Sequence, residues 1–147
     1  MKNTILLIAF CLLGFGTTAL AQNTSATHTH TITHKVVIQL NSGDTAAWGG
    51  VIGNVKNLSK IWPNNLSVEV VVHGKALDFL VAAKSHLVAD VEQLSKKGII
   101  FSACENTMGK YGITKQMLIP SVFTVPSGVG EVILKQEEGW SYLRAGY

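Results

Sequence analysis

Cysteine is scarce in this chain, two residues among 147. That count excludes a disulfide-stapled scaffold. Proline is nearly as rare, three residues against 14 glycines, and no linker interrupts the sequence. Charge is thin as well. Charged side chains make up 14% and the formal net charge is +3, too weak a bias to point to nucleic acid. No apolar run reaches the roughly 20 residues that a bilayer-spanning helix needs. What the chain does have is apolar content, 47%, too high for a disordered protein. Its length suits one ordinary domain rather than two.

Residues 1–21 read apart from the rest. Lys2 supplies a positive start, Ile5 to Leu13 is an unbroken apolar run, and Ala19-Leu20-Ala21 is a small-x-small cleavage site. That is the layout of a secretory signal peptide. It implies a bacterial protein that is periplasmic or secreted, with no stable membrane anchor. Cys11 follows the bulky Phe10 inside the run and makes a poor lipid-attachment site. Cleavage before Gln22 leaves Cys104 as the sole cysteine, hence no internal disulfide. The remaining thiol is buried and inert, paired between chains, or reactive.

Residues 22–33 are polar, rich in Thr and His, and lack apolar periodicity. They read as a flexible arm. His28, His30 and His34 raise the idea of a metal-scavenging role, but a solvated tail is the plainer reading, and neither a metal site nor a cofactor is assigned.

From His34 onward the pattern alternates. His34 to Leu40 is a nearly continuous apolar run, as expected of a strand covered on both faces. Asn41-Ser42-Gly43-Asp44 is a turn, with Asp44 or Thr45 placed to cap a helix. Trp48, Val51, Ile52, Val55, Leu58 and Trp62 recur at helical spacing. Gly49, Gly50 and Gly53 weaken that helix and suggest close packing on a sheet or a neighbouring subunit. Leu66 to Val72 is a second strand, Lys75 to Ala83 a helix, and Leu87 to Leu94 another, closed by Gly98. Ile99 to Ala103 is the third strand. A short helix from Glu105 to Tyr111 and a helical turn over Thr114 to Ile119 follow. Val122 to Val125 is the fourth strand, a helix runs from Ser127 to about Glu138, and Trp140 to Leu143 is the fifth strand. Alternating strands and helices predict a single α/β domain over residues 34–147, a parallel sheet with helices on both faces.

In such sheets ligands bind beyond the carboxyl ends of the strands. Topology alone brings four segments there: Asn41, Ser42 and Asp44; His73 and Gly74; Cys104, Glu105 and Asn106; Ser127 and Gly128. Free N–H groups at helix starts favour anions. Cys104 is the most informative of these residues. N–H donors and the helix dipole lower a thiol's pKa, whereas the neighbouring Glu105 carboxylate opposes this. A small buried core cysteine is the equal alternative. His73 is placed to move protons near neutral pH, although a lone histidine satisfied by backbone is commoner. Asp44 and Ser127 read first as helix caps. No Gly-x-Ser-x-Gly elbow is present, and Ser127-Gly128-Val129-Gly130 lacks the Lys-Ser/Thr of a phosphate-binding loop.

Several ordered blocks resemble one family. They are His34-Lys35-Val36-Val37-Ile38-Gln39-Leu40, Val68-Glu69-Val70-Val71-Val72-His73-Gly74, Gly98-Ile99-Ile100-Phe101-Ser102-Ala103-Cys104-Glu105-Asn106-Thr107, Val125-Pro126-Ser127-Gly128-Val129 and Gly139-Trp140-Ser141-Tyr142-Leu143. Together they are similar to the DsrE/DsrF-like family across the domain from His34. The resemblance implies a three-layer α/β/α domain with a five-stranded parallel sheet, assembled as a homo-oligomer, commonly a trimer or hexamer. It further implies that Cys104 matches the family cysteine that holds sulfane sulfur as a persulfide, with His73 and Asn106 lining the pocket. The sulfur donor and acceptor are not named by it, because the known relays are intracellular and this chain carries an export signal. The competing expectation is a non-catalytic, oligomeric small-ligand-binding module with a strand-end pocket.

Overall fold

The structure is a computed structural model that describes residues 33–146. The expected leader and almost all of the arm lie outside the described residues.

Five parallel strands form one sheet in the order β4-β3-β2-β1-β5. They are β1 (His34–Leu40), β2 (Leu66–Val72), β3 (Ile100–Cys104), β4 (Phe123–Val125) and β5 (Ser141–Ala145). The helices are α1 (Thr45–Ile61), α2 (Val88–Ser95), α3 (Glu105–Tyr111) and α4 (Gly128–Glu137), with 3-10 turns at Gly74–Leu80 and Lys115–Met117. This is the α/β sandwich expected from the alternating pattern. The segment Lys75 to Ala83, read as a helix, is a 3-10 turn over Gly74–Leu80. Val81 instead bridges Leu118 in antiparallel fashion, so the chain is drawn out of helix there.

Strand order dictates which face each helix covers. The steps β1 to β2 to β3 to β4 all move one way across the sheet. Right-handed crossovers therefore put their connections on one face. The last connection runs back from β4 to β5 at the opposite edge, so α4 falls on the other face. The core divides accordingly. On the first face Val36, Ile38, Leu40, Val68, Val70, Val72 and Phe101 meet Trp48, Val51, Ile52 and Val55 of α1, with Leu77, Leu80, Val91 and Leu94. Each such buried side chain contributes roughly 1.5–3 kcal/mol. On the second face, among the described residues, only α4 packs, through Val132 against Val37 and Val71, with Trp140 at the margin.

Asp44 caps α1 as expected, its carboxylate accepting from the Ala46 N–H at 2.9 Å. The α1 glycines do not serve close packing within this chain. A Cβ at Gly49, Gly50 or Gly53 would meet nothing within 4 Å. The helix is held by the opposite, apolar stripe, and these glycines lie along its open side.

The thin α4 face also carries a buried charge. Glu69 of β2 is 3% exposed. It accepts from Ser102 Oγ at 2.6 Å and pairs with Lys135 of α4 at 3.3 Å. Lys135 also faces Glu131 at 3.5 Å and Glu138 at 3.8 Å and lies over the Trp140 ring, 4.9 Å from its centre. Burial pulls the Lys135 ammonium pKa down, but the three carboxylates outweigh it and the net shift is upward. The ammonium stays charged and fastens α4 to the sheet.

Candidate functional site

Adjacent loops leaving β3 and β4 go to opposite faces, β3 into α3 and β4 into α4. Such a divergence opens a crevice at the carboxyl ends of the strands. Cys104 ends β3 at this point and is the N-cap residue of α3. Gly128 begins α4 directly across the crevice.

Register places His73 beside the thiol. Val72 pairs with Ala103, so one residue further His73 and Cys104 are neighbours on the α4 side of the sheet. Gly128 fits against both. A Cβ built on it would lie 3.0 Å from His73 Cβ and 3.2 Å from Cys104 Cβ. Glycine is therefore what lets the start of α4 come down onto the sulfur.

Cys104 is buried, at 5% exposure. Burial pushes its thiol pKa up. The nearby Thr107 hydroxyl and the backbone N–H groups of Gly128, Thr107 and Asn106 favour the charged form and oppose this, and the net shift is downward. These donors stabilise a thiolate. Thr107 is aimed by its own partner. Its Oγ1 accepts from the Gly74 N–H at 3.1 Å, which leaves the hydroxyl hydrogen for the sulfur. Gly74 has φ of +61°, a left-handed turn that glycine adopts without strain. Ser127 caps α4, accepting from the Gly130 N–H at 3.2 Å.

His73 is partly buried, and burial lowers its imidazole pKa. The ring is neutral around pH 7. Its Nε2 lies 2.8 Å from Gln39 Nε2, and the Tyr142 hydroxyl donates to Gln39 Oε1.

Of the residues expected at the strand ends, the structure brings His73, Gly74, Cys104, Asn106 and Gly128 together around one sulfur. Asn106 takes part through its backbone N–H while its side chain is exposed. Glu105 is exposed in the first turn of α3. Ser127 stands behind Gly128 as a cap. Asn41 approaches through its carbonyl oxygen, 3.7 Å from a Cβ built on Gly74. Ser42 and Asp44 line a separate cavity of about 530 Å³ with Arg144 and Gly146. Sequence reasoning missed Thr107, Gln39 and Tyr142. Thr107 had a signal, a hydroxyl three residues after the cysteine at a helix start. Gln39 had a weaker one, an amide in an otherwise apolar stretch of strand.

A thiol ringed by donors at the strand-end crevice of a doubly covered parallel sheet defines a class: α/β domains with a single strand-end cysteine. The match to the family model is direct. Residues 13–145 match the DsrE/DsrF-like family, and this chain belongs to it. Among solved structures it is similar to a protein of unknown function, MTH1491, from Methanobacterium thermoautotrophicum. The two share 32% identity with a TM-score of 0.72, over 76% of this chain and 98% of that one. BT1422 from Bacteroides thetaiotaomicron, also a conserved protein of unknown function, shares the fold at 13% identity and TM-score 0.60, over 75% of this chain and 93% of its own. The ychN protein of E. coli does so at 17% identity and TM-score 0.57, over 76% and 98%. No curated protein matches the chain.

Proposed function

We propose that this protein carries sulfane sulfur on Cys104 and passes it to an acceptor thiol. The observation that carries the reading is the set of donors around the sulfur, which lowers the thiol's pKa despite its burial. With thiosulfate as donor, the Cys104 thiolate attacks the outer sulfur. A new S–S bond forms, the bond to the sulfonate sulfur breaks, and sulfite leaves with the electron pair. The persulfide anion on Cys104 then yields its outer sulfur to an attacking thiolate, which regenerates the Cys104 thiolate. Charge balances in both steps, and neither needs an external oxidant. At 5% exposure the sulfur accepts only donors slim enough to enter the crevice.

The reading includes export through a cleaved signal peptide and assembly as a homotrimer or homohexamer. Support for assembly comes from apolar side chains left open on the α4 side, among them Val129, Ile133 and Phe123. Incubation with thiosulfate or polysulfide should add one sulfur mass to the intact protein, and Cys104→Ser should abolish the adduct. Absence of an adduct with both donors sinks the proposal.

A second reading is ligand binding without sulfur transfer. The cavity of about 530 Å³ beside Ser42, Asp44 and Arg144 favours it, since its size suits a small molecule. Thermal stabilisation by a small anion that persists in Cys104→Ser would select it.

A further inference from the structure

A line of hydrogen bonds enters the site from the β5 edge. Val37 of β1 pairs with Tyr142 of β5 and with Glu69 of β2. Gln39 thus stands one pleat beyond Tyr142 and one pleat short of His73, all on the α4 side of the sheet. Three strands contribute one residue each: the Tyr142 hydroxyl donates to Gln39 Oε1, and Gln39 Nε2 reaches His73 Nε2 at 2.8 Å.

With the amide oxygen on Tyr142 and the amide nitrogen on His73, the hydrogens follow. An amide nitrogen donates and does not accept, so His73 Nε2 is the acceptor. The single proton of the neutral ring then belongs on Nδ1. The Tyr142 O–H donates to the amide oxygen, and the amide nitrogen lies toward the imidazole. Protonating the ring would set a hydrogen on Nε2 against the amide hydrogens, so the contact opposes the imidazolium form.

We propose that Gln39, held by Tyr142, is a positioning residue that keeps His73 as the neutral Nδ1–H tautomer, which makes His73 a hydrogen-bond donor to an anionic sulfur donor at Cys104 and not the base for the thiol. The proposal rests on the sulfur-carrier reading and specifies its substrate as an anion. Nδ1 has no hydrogen-bond partner among the described residues and is not one of the sealed polar atoms there, which are Ser95 Oγ and Ser121 Oγ. It is therefore free to serve a ligand. Titratable groups on the surrounding elements include Cys104 on β3, Glu105 on α3, Lys75 on the 3-10 turn, Glu131 on α4, and Tyr142 and Arg144 on β5. Among the described residues none of them ion-pairs with the imidazole. The thiol proton goes to solvent, and the donors around the sulfur hold the thiolate.

The test is long-range proton–nitrogen NMR on the 15N-labelled full chain, with His73 assigned by its loss in His73→Asn. The expected spectrum is that of an Nδ1–H tautomer, and Gln39→Glu, which replaces the donor by an acceptor, should move the proton to Nε2 and raise the His73 pKa by a unit or more. An Nε2–H tautomer in the natural protein overturns the proposal, as does a Gln39→Glu spectrum that leaves tautomer and pKa unaltered. Should Gln39→Glu not fold, Gln39→Leu should give a mixture of tautomers, and a pure Nδ1–H form there counts against the proposal. In the same Gln39→Leu protein, thiosulfate loading should fall about tenfold relative to alkylation of Cys104 by neutral iodoacetamide. Equal losses in the two reactions would make His73 the thiol's base and overturn the proposal. Because the tautomer is read without any sulfur donor, a protein that takes up no sulfur but shows the Nδ1–H form defeats the carrier reading alone.

Discussion

Replacing Gly128 by alanine adds one methyl group at the closest approach in the site. The new Cβ would lie 3.0 Å from His73 Cβ, 3.2 Å from Cys104 Cβ and 3.3 Å from His73 Cδ2. Ordinary carbon contacts begin near 3.5 Å. Two of the three atoms are Cβ atoms fixed to neighbouring strands, so the start of α4 must withdraw by a few tenths of an ångström. Overpacking of this kind costs about 1–3 kcal/mol. Alanine returns about 0.4–1 kcal/mol through the unfolded chain, because Gly128 does not have positive φ. The net loss is roughly 0–2.5 kcal/mol, with a middle value near 1. Withdrawal also carries the Gly128 N–H, one of the groups that lower the thiol pKa, away from the sulfur. A hydrogen bond to a charged group is worth about 1.5–3 kcal/mol; losing much of it should raise the thiol pKa by about one unit, at 1.36 kcal/mol per unit. The assay is the iodoacetamide rate of Cys104 against pH, run beside thermal unfolding. Gly53→Ala is the control. It lies within α1 with open space at the new Cβ and should stabilise by about 0.5–1 kcal/mol. If Gly128→Ala keeps both the melting temperature and the alkylation inflection of the natural protein, the crevice is not built as described.

Lys135→Met keeps the stem of the side chain but strands Glu69 with Ser102 as its remaining partner. Removing one member of a buried pair costs about 3 kcal/mol, and urea unfolding should show it; a loss under about 0.5 kcal/mol would mean that the pair behaves as a surface contact. The lowered pKa of Cys104 also links stability to pH. The folded state releases the thiol proton more readily than the unfolded chain, so the thiolate's stabilisation is fully present above the unfolded thiol pKa and is lost as pH falls through the folded one. The stability of the natural protein relative to Cys104→Ala should therefore rise with pH across that window, and a flat or falling difference would contradict the donor arrangement.

The local code was legible at several points. The apolar spacing of Trp48, Val51, Ile52 and Val55 marked the buried face of α1, since a helix lacking that stripe has nothing to hold it to a sheet. Asp44 and Ser127 announced their helix starts, because a short polar side chain there satisfies N–H groups the helix itself leaves free. Cys104 before Glu105 placed a thiol between a strand and a helix, and the alternation of elements implied that this lay at a carboxyl edge of a parallel sheet. The 3-10 turn after Gly74 was not legible. Its departure from helix depends on the Val81–Leu118 bridge, a contact between segments far apart in sequence.

What sequence alone could determine was therefore the inventory: the strands, most of the helices, the caps, and a single thiol at a strand end. Only the tertiary structure decided the sign of that thiol's pKa shift. The deciding donors come from the start of α4 and from Asn106 and Thr107 in α3, the last aimed by the Gly74 N–H beyond β2, and strand order brings these together. The downward shift of the His73 imidazole was decided in the same way, by the burial that folding imposes on the ring. Charge stabilisation at an atom depends on which dipoles surround it within a few ångströms, and chain neighbours supply only some of them.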